Sequence, residues 1–416
     1  MKNLLTFIIM IIFPLSLTFG QIDLLNKVKQ KAEEKIDQKV DEELNKGDNK
    51  KEDSKKEDVS KEKVNENKQE SSDKKPENIE LKAYSKYDFI PGDKILFFED
   101  FSQDNVSDFP ARWNTNASGE VVTLNNEPGK WLKMHIDGSY MPEFVDKIPE
   151  NCTIEYDLIL GRVNEGDIPE FACWLYASQP ADGLTNLVPG LYGAIFSFNV
   201  YTINAFNWKD GNYGQISNSL TNGIFLDNAN KKVKVSIWIQ KQRGRLYLNE
   251  NKIYDLPRLF EKDNKLDRIR FSLGNTNEPE SYAYITNLRI AEGAPDMRSK
   301  LITEGKLVTH GILFDSGKDK IKPESYGTLK EIAAVLKENS NVKVKIVGHT
   351  DSDGSDASNL DLSKRRASAV KNALNKDFGI DESRMQTDGK GESEPISPND
   401  TQEGKANNRR VELIKL

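Results

Sequence analysis

Cysteine is nearly absent from this chain of 416 residues: Cys152 and Cys173 are its whole supply. A disulfide framework therefore cannot be the basis of the fold. Histidine occurs only as His135, His310 and His349, scattered without metal-ligand spacing, so no metal centre is expected. An excess of positive charge is also missing. The 59 Lys and Arg stand against 66 Asp and Glu, a net of −7, which argues against nucleic acid as a partner. Beyond the first twenty residues no apolar run is long enough to cross a bilayer as a helix.

Those first twenty residues are the exception. Met1-Lys2-Asn3 is a short positive start, Leu4 to Phe13 is almost unbroken apolar chain, and Gly20 supplies a small residue before Gln21. This is the three-part pattern of a secretory signal, with cleavage expected before Gln21; a retained anchor is the alternative. No cysteine lies near the cleavage point, so a lipidated N-terminus is not indicated. Export would place Cys152 and Cys173 in an oxidising space where a bridge is chemically possible. Both also sit in apolar runs that suit a small buried hydrophobe, and the pairing stays open.

Composition then divides the chain. Residues 21–92 are dominated by Lys, Glu, Asp, Asn and Ser. Leu25, Val28, Ala32, Ile36, Val40 and Leu44 form a stripe at helical spacing, which predicts a marginal helix with a coiled coil as the sharper option. From Lys46 onward the stripe is gone, and too little apolar surface remains to order the chain, so a disordered tether is expected. Residues 93–293 carry short alternating runs between turn signals, among them KILFFEDF, CTIEYDLIL, FACWLYA, KVKVSIWIQ and YITNLRIA. In KVKVSIWI, Val233, Val235, Ile237 and Ile239 face a core and Lys232, Lys234, Ser236 and Trp238 face water. Lys241-Gln242-Arg243-Gly244 is a hairpin connection to the next strand. Many short strands without a long helix predict a soluble all-β sandwich; a transmembrane barrel would need longer lipid-facing bands. FFEDFS at the start, the late hairpin and FSLGN…AYITNLRIAE at the close resemble a concanavalin-like, or laminin-G-like, jelly roll.

Residues 300–416 change texture again. Strand-like Val308–Phe314, a helix over Pro323–Asn339 with Leu329, Ile332, Ala333 and Leu336 inward, strand-like Val342–Val347, and a helix over Ser358–Phe378 with Leu362, Val370 and Leu374 inward precede a last strand at Arg410–Lys415. That order predicts an α/β domain, a sheet with helices packed on one face.

Between the second strand and second helix stands TDSDGSD, Thr350–Asp356. A calcium loop would need glycine at position six and glutamate at position twelve; counted from Asp351 those places hold Asp356 and Leu362, so the metal reading fails. As a strand-to-helix turn the stretch makes sense, with Ser355 or Asp356 as the helix cap. Asn359 and Arg366, seven apart, share a helix face beside Asp351 at the strand end. A carboxylate and a guanidinium so placed suit a zwitterion, the first accepting an ammonium and the second gripping a carboxylate by two parallel bonds. The bland alternative is an ion pair between Asp351 and Arg366 themselves.

IVGHTDSDGSDASNLDLSKRRASAV, with ILFDSGKDKI upstream and GKANNRRVELI downstream, resembles the OmpA-like peptidoglycan-binding domain over about 307–414. The resemblance implies that Asp351 and Arg366 hold the amine and carboxylate of a diaminopimelate residue in the peptidoglycan stem peptide. It also implies that Asn359 and Arg409 line the same pocket, and that Asp353 and Asp356 are loop residues. No cofactor and no catalytic residue is implied. The expected protein is an exported anchor or scaffold of the periplasm or outer-membrane-associated envelope. The alternatives place a carbohydrate-active enzyme, or a glycan-binding adhesin, in the jelly roll, with a glycan or an envelope protein as its partner. Jelly-roll β-glucanases carry Glu-x-Asp-x-(x)-Glu on one strand; here Glu155 and Asp157 are followed by Leu158, Ile159 and Leu160. The second catalytic carboxylate is missing, and Glu155 and Asp157 are expected as solvent-facing alternates of the core residues. Five tryptophans, Trp113, Trp131, Trp174, Trp208 and Trp238, could stack on sugars or fill the core.

Overall fold

The computed structural model describes residues 87–416 except 145–146, 162–167, 181–182, 275–280 and 294–295. The expected signal, the helical or coiled-coil stripe and most of the tether lie outside the described residues.

The first region is built from β1 (Lys94–Glu99), β2 (Trp113–Thr115), β3 (Gly119–Thr123), β4 (Lys130–His135), β5 (Gly138–Pro142), β6 (Asn151–Leu160), β7 (Glu170–Ala177), β8 (Tyr192–Phe198), β9 (Thr202–Lys209), β10 (Asn212–Thr221), β11 (Val233–Gln240), β12 (Arg243–Leu248), β13 (Asn251–Leu256), β14 (Arg268–Gly274) and β15 (Tyr282–Glu292). One turn of helix, α1 (Ile224–Asp227), interrupts them. One sheet runs β13-β12-β11-β6-β15-β4-β3, with β1 also on β15; the other runs β10-β9-β8-β7-β14-β5-β2. Along one edge β15 pairs β4 through Tyr282–Ile285 and then β1 through Leu288–Glu292. Every strand pair is antiparallel in these two sheets.

The core lies between them. Val233, Val235, Ile237 and Ile239 are fully buried there, as the alternation predicts. Each such side chain contributes about 1.5–3 kcal/mol by leaving water. Cys152 and Cys173 are free, buried thiols. Burial pushes Cys173 up to about 12 and Cys152 higher still, so neither is a ready nucleophile. Trp113, Trp131, Trp208 and Trp238 are buried, and Trp174 packs edge-on to Trp208 under Arg270.

One expectation fails on the outer face of the β6-bearing sheet. Alternation directs Glu155, Asp157, Ser236 and Trp238 to water, yet all four are buried. Tyr87 and Phe89, from the stretch assigned to the linker, cluster with Trp238 and Tyr247. Gly92 donates to Thr153 and accepts from Arg289. Glu155 pairs with Arg289 at 2.5 Å, Lys234 lies 3.8 Å from both Glu155 and Asp157, and Asn287 donates to Asp157. A polar face can be buried when its charges satisfy one another, and these do.

The C-terminal region comprises a π-helical turn (Ser299–Thr303), β16 (Lys306–Thr309), α2 (Tyr326–Glu338), β17 (Val344–His349), α3 (Asp356–Lys376), β18 (Met385–Gly391), α4 (Gln402–Asn408) and β19 (Val411–Lys415). Its sheet runs β16-β19-β17-β18, with β17 and β18 parallel. The first strand ends at Thr309, earlier than expected; Phe314 instead makes a lone bridge to Ile321. On α2, Leu329, Ile332, Ala333 and Leu336 are buried as predicted. On α3 the buried stripe is Asn359, Ser363, Ala367, Val370 and Leu374, and Leu362 lies only half-buried beside it. The reason is close approach. A Cβ on Gly348 would meet the Ser363 carbonyl oxygen at 2.3 Å, and one on Gly389 would meet the Lys364 nitrogen at 2.4 Å. The first half of α3 lies directly on β17 and β18, where only small side chains fit.

Helix α4 closes the open edge of β1. Asn407 exchanges two hydrogen bonds with the Ile95 backbone, both 3.1 Å. Glu403 accepts from the Phe98 amide at 3.1 Å and from Arg112 at 2.6 Å, and Gln402 accepts from the Asp100 amide. Side chains thus stand in for the missing neighbour strand and protect an edge that would otherwise invite pairing. Nearby, burial pushes Glu99 up to about 7 against the hydrogen bond donated by the Phe101 amide and the charge of Arg112. A folded-state pKa above the unfolded one means that stability falls as pH rises from the ordinary glutamate range to about 7. Glu99→Gln is therefore expected to raise the melting temperature at pH 8 and leave it unchanged at pH 4. Equal shifts at both pH values would contradict a buried charge as the cause.

Candidate ligand-binding site

Strand β17 delivers His349, Thr350 and Asp351 to the sheet's end, all buried. The acidic stretch then turns, with Gly354 at φ +107°, and Ser355 caps α3 by accepting from the Ser358 amide. Asp353 pairs with Lys405 on α4 at 2.7 Å, the loop role expected of it. The Asp351 carboxylate accepts from the Asp353 amide on one oxygen and from Arg409 at 2.5 Å on the other. Asn359, 5 % exposed, donates to the Asp351 and Asp353 carbonyls at 3.3 and 3.1 Å and to Glu392. Asp351, Asn359 and Arg409 are thus in one connected group.

Arg366 stands apart from their direct bonds. Its Nε donates to the Lys318 carbonyl at 3.0 Å, and its guanidinium lies 4.9 Å from the Phe314 ring centre. Among the described residues no carboxylate lies within ion-pair distance of it. Burial lowers its pKa below the ordinary arginine value, the Asp351 charge opposes that, and Arg409 adds to it. It remains charged at any pH of interest. The ion pair between Asp351 and Arg366 that would have explained both residues away is not formed; Asp351 has Arg409 instead.

Arg366 and Arg409 share the wall of a cavity of about 230 Å3 that also takes in Phe98, Glu155, Lys234, Arg289 and His310. Asp351 and Asn359 are not on that wall. Burial pushes His310 down to about 4, helped by the Arg289 charge, so it is neutral at pH 7. Sequence reasoning missed Phe98, Phe314, Glu392 and Lys405. Phe98, Phe314 and Lys405 lie in the quoted stretches FFEDFS, ILFDSGKDKI and GKANNRRVELI without being singled out, and no quoted stretch holds Glu392.

The loop before α4 is set by Asn408, which is fully buried. Its oxygen accepts from the Ile396 and Ser397 amides and its nitrogen donates to the Ser397 carbonyl and Asn399. Asn399 in turn accepts from the Ser352 amide in the acidic loop. Asn408→Ala should destabilise the folded chain by about 1–3 kcal/mol, because the Ile396 and Ser397 amides, both only part-buried, lose their acceptor and the buried side chain leaves a gap. Denaturant titration measures it; a cost under about 0.5 kcal/mol would mean that water replaces the side chain freely.

This is a half-buried cation without a carboxylate, next to a carboxylate held by a second cation, at the C-terminal end of a strand. Residues 313–409 match the model of the OmpA family, and this stretch is an OmpA family domain. Over 101 residues the chain is 44 % identical to outer membrane porin F of Pseudomonas aeruginosa, covering 24 % of this chain and 29 % of that one. Over 104 residues it is 44 % identical to the probable lipoprotein YiaD of Escherichia coli, covering 25 % of this chain and 47 % of that one. The chain therefore spans less than half the length of either relative. Among solved structures it is similar to the cell wall anchor of the T6SS from Pseudomonas aeruginosa, at 30 % identity and a TM-score of 0.25, covering 27 % of this chain and 80 % of that one.

Proposed function

We propose that the protein is an exported component of the cell envelope whose C-terminal domain binds peptidoglycan without covalent chemistry, anchoring the sandwich to the wall. The diaminopimelate residue of the stem peptide is the ligand: Arg366 takes its carboxylate and Asp351 its ammonium, with Asn359 and Arg409 holding the Asp351 loop in place. The observation that carries this reading is Arg366 itself. It is half-buried inside an OmpA family domain and backed by Phe314, with no carboxylate within ion-pair distance among the described residues. A desolvated guanidinium left without an anion is a binding group in waiting. The two relatives carry the names of an outer membrane porin and a probable lipoprotein, which supports an envelope location.

In this reading the jelly roll is a non-catalytic spacer or display domain. Glu155 and Asp157, the carboxylates that could suggest hydrolysis, are occupied by Arg289, Lys234 and Asn287 under a covered face. The test is co-sedimentation of the exported chain with purified sacculi, followed by competition with free diaminopimelate. Pelleting that diaminopimelate releases is the expected result. Pelleting indifferent to it would place the contact elsewhere.

A further inference from the structure

The site and the junction between the two regions share one element. Helix α4 presents Arg409 as its C-terminal cap, and the same seven residues carry Gln402, Glu403 and Asn407, which bind the edge of β1. From β1, Phe98 places its ring 5.4 Å from the Arg409 guanidinium, on the wall of the shared cavity. Ile95 and Phe98 also pack with Ala406, one turn before Arg409. The Arg409 backbone is tied to α4 through the hydrogen bond its amide donates to the Lys405 carbonyl. Among the described residues its side chain, 37 % exposed, is steered by the Asp351 carboxylate on one side and the Phe98 ring on the other.

We infer that Phe98, a residue of the sandwich, is a positioning residue of the wall-binding site: it holds the Arg409 guanidinium against Asp351 and so sets the Asp351 carboxylate for the ligand ammonium. The inference rests on the proposed binding role of the site. Its physical basis is that an arginine over an aromatic face loses rotamer freedom at little desolvation cost, so the Asp351 partner is preorganised before ligand arrives. The sandwich is then part of the binding site and not only its cargo.

The experiment uses the whole exported chain and free diaminopimelate, titrated by calorimetry, with melting temperature recorded for each variant. Phe98→Leu keeps an apolar side chain at the junction and removes the ring face; affinity should weaken roughly two- to five-fold, the size of one cation–π contact. Phe98→Trp should retain the wild-type value. In an Arg409→Ala background Phe98→Leu should cost nothing further. Loss of equal size in that background would show that Phe98 acts through general packing and overturn the inference, as would wild-type affinity for Phe98→Leu. Arg366→Ala is the separate control. If it binds as wild type, the proposed site itself fails; if it loses binding while Phe98→Leu does not, only the role of Phe98 falls.

Discussion

Arg366→Ala is expected to abolish co-sedimentation with sacculi while leaving the melting temperature nearly unchanged. Its contacts with the rest of the chain are slight: one bond to the Lys318 carbonyl and the Phe314 face. Removing a half-buried guanidinium also removes its desolvation cost, so net stability should move by less than about 1 kcal/mol. Binding has no such compensation. A carboxylate held by two parallel charge-assisted bonds loses about 1.5–3 kcal/mol for each, together a loss of more than about a hundredfold. Arg366→Lys should not restore it, since a single ammonium lacks the planar fork. Asp351→Asn is the companion variant. It keeps an acceptor for the Asp353 amide and removes the charge an ammonium needs. Sedimentation unchanged in both variants would leave the assignment without support.

The second large effect lies in the sandwich. Arg289→Met should destabilise the fold by about 3–5 kcal/mol, the cost of leaving a buried charge without its partner. Glu155 and Arg289 are 3 % and 9 % exposed and 2.5 Å apart, and the nearest other cation to Glu155, Lys234, is 3.8 Å away. Arg289 also holds the Gly92 carbonyl, so the stretch from Tyr87 should become accessible to protease in the same variant. Adding Glu155→Leu removes the orphaned carboxylate and should recover most of the loss. Urea titration read by tryptophan fluorescence measures the first, and limited proteolysis the second. A change under about 1 kcal/mol in Arg289→Met would show that water reaches the face and the pair is a surface pair in energetic terms.

Legibility in the sequence followed period. Val233, Val235, Ile237 and Ile239 alternate cleanly, and their strand and its inward face were readable. β2, β3, β5, β9 and β10 were not, being short or rich in Asn, Ser, Thr and Gly, which blurs alternation. In the C-terminal region α2 was legible and α3 only partly. Its inward stripe is carried by Asn359, Ser363 and Ala367, residues that no hydrophobic pattern marks, because Gly348 and Gly389 bring the sheet too close for Leu362. β18 (MQTDGKG) has almost no apolar content and was missed for the same reason of pattern. Of the site, Asp351, Asn359, Arg366 and Arg409 were named from spacing and resemblance, but not their pairing. Spacing along a helix says which residues share a face; it says nothing of Arg409, which arrives from 58 positions away and takes the Asp351 carboxylate.

By itself the sequence determined the class of the two described regions, the inward residues of the regular strands and of α2, and the acidic turn as a strand-to-helix connection. Those are local matters, decided by periodicity, capping and turn chemistry within a few residues. Only tertiary structure decided that the charged outer face of the sandwich is covered, that α4 closes the edge of β1, and that Phe98 reaches Arg409. Each joins groups more than a hundred residues apart or sets a buried charge beside its partner. Such contacts depend on desolvation and close fit, quantities that exist only once the two regions are packed together.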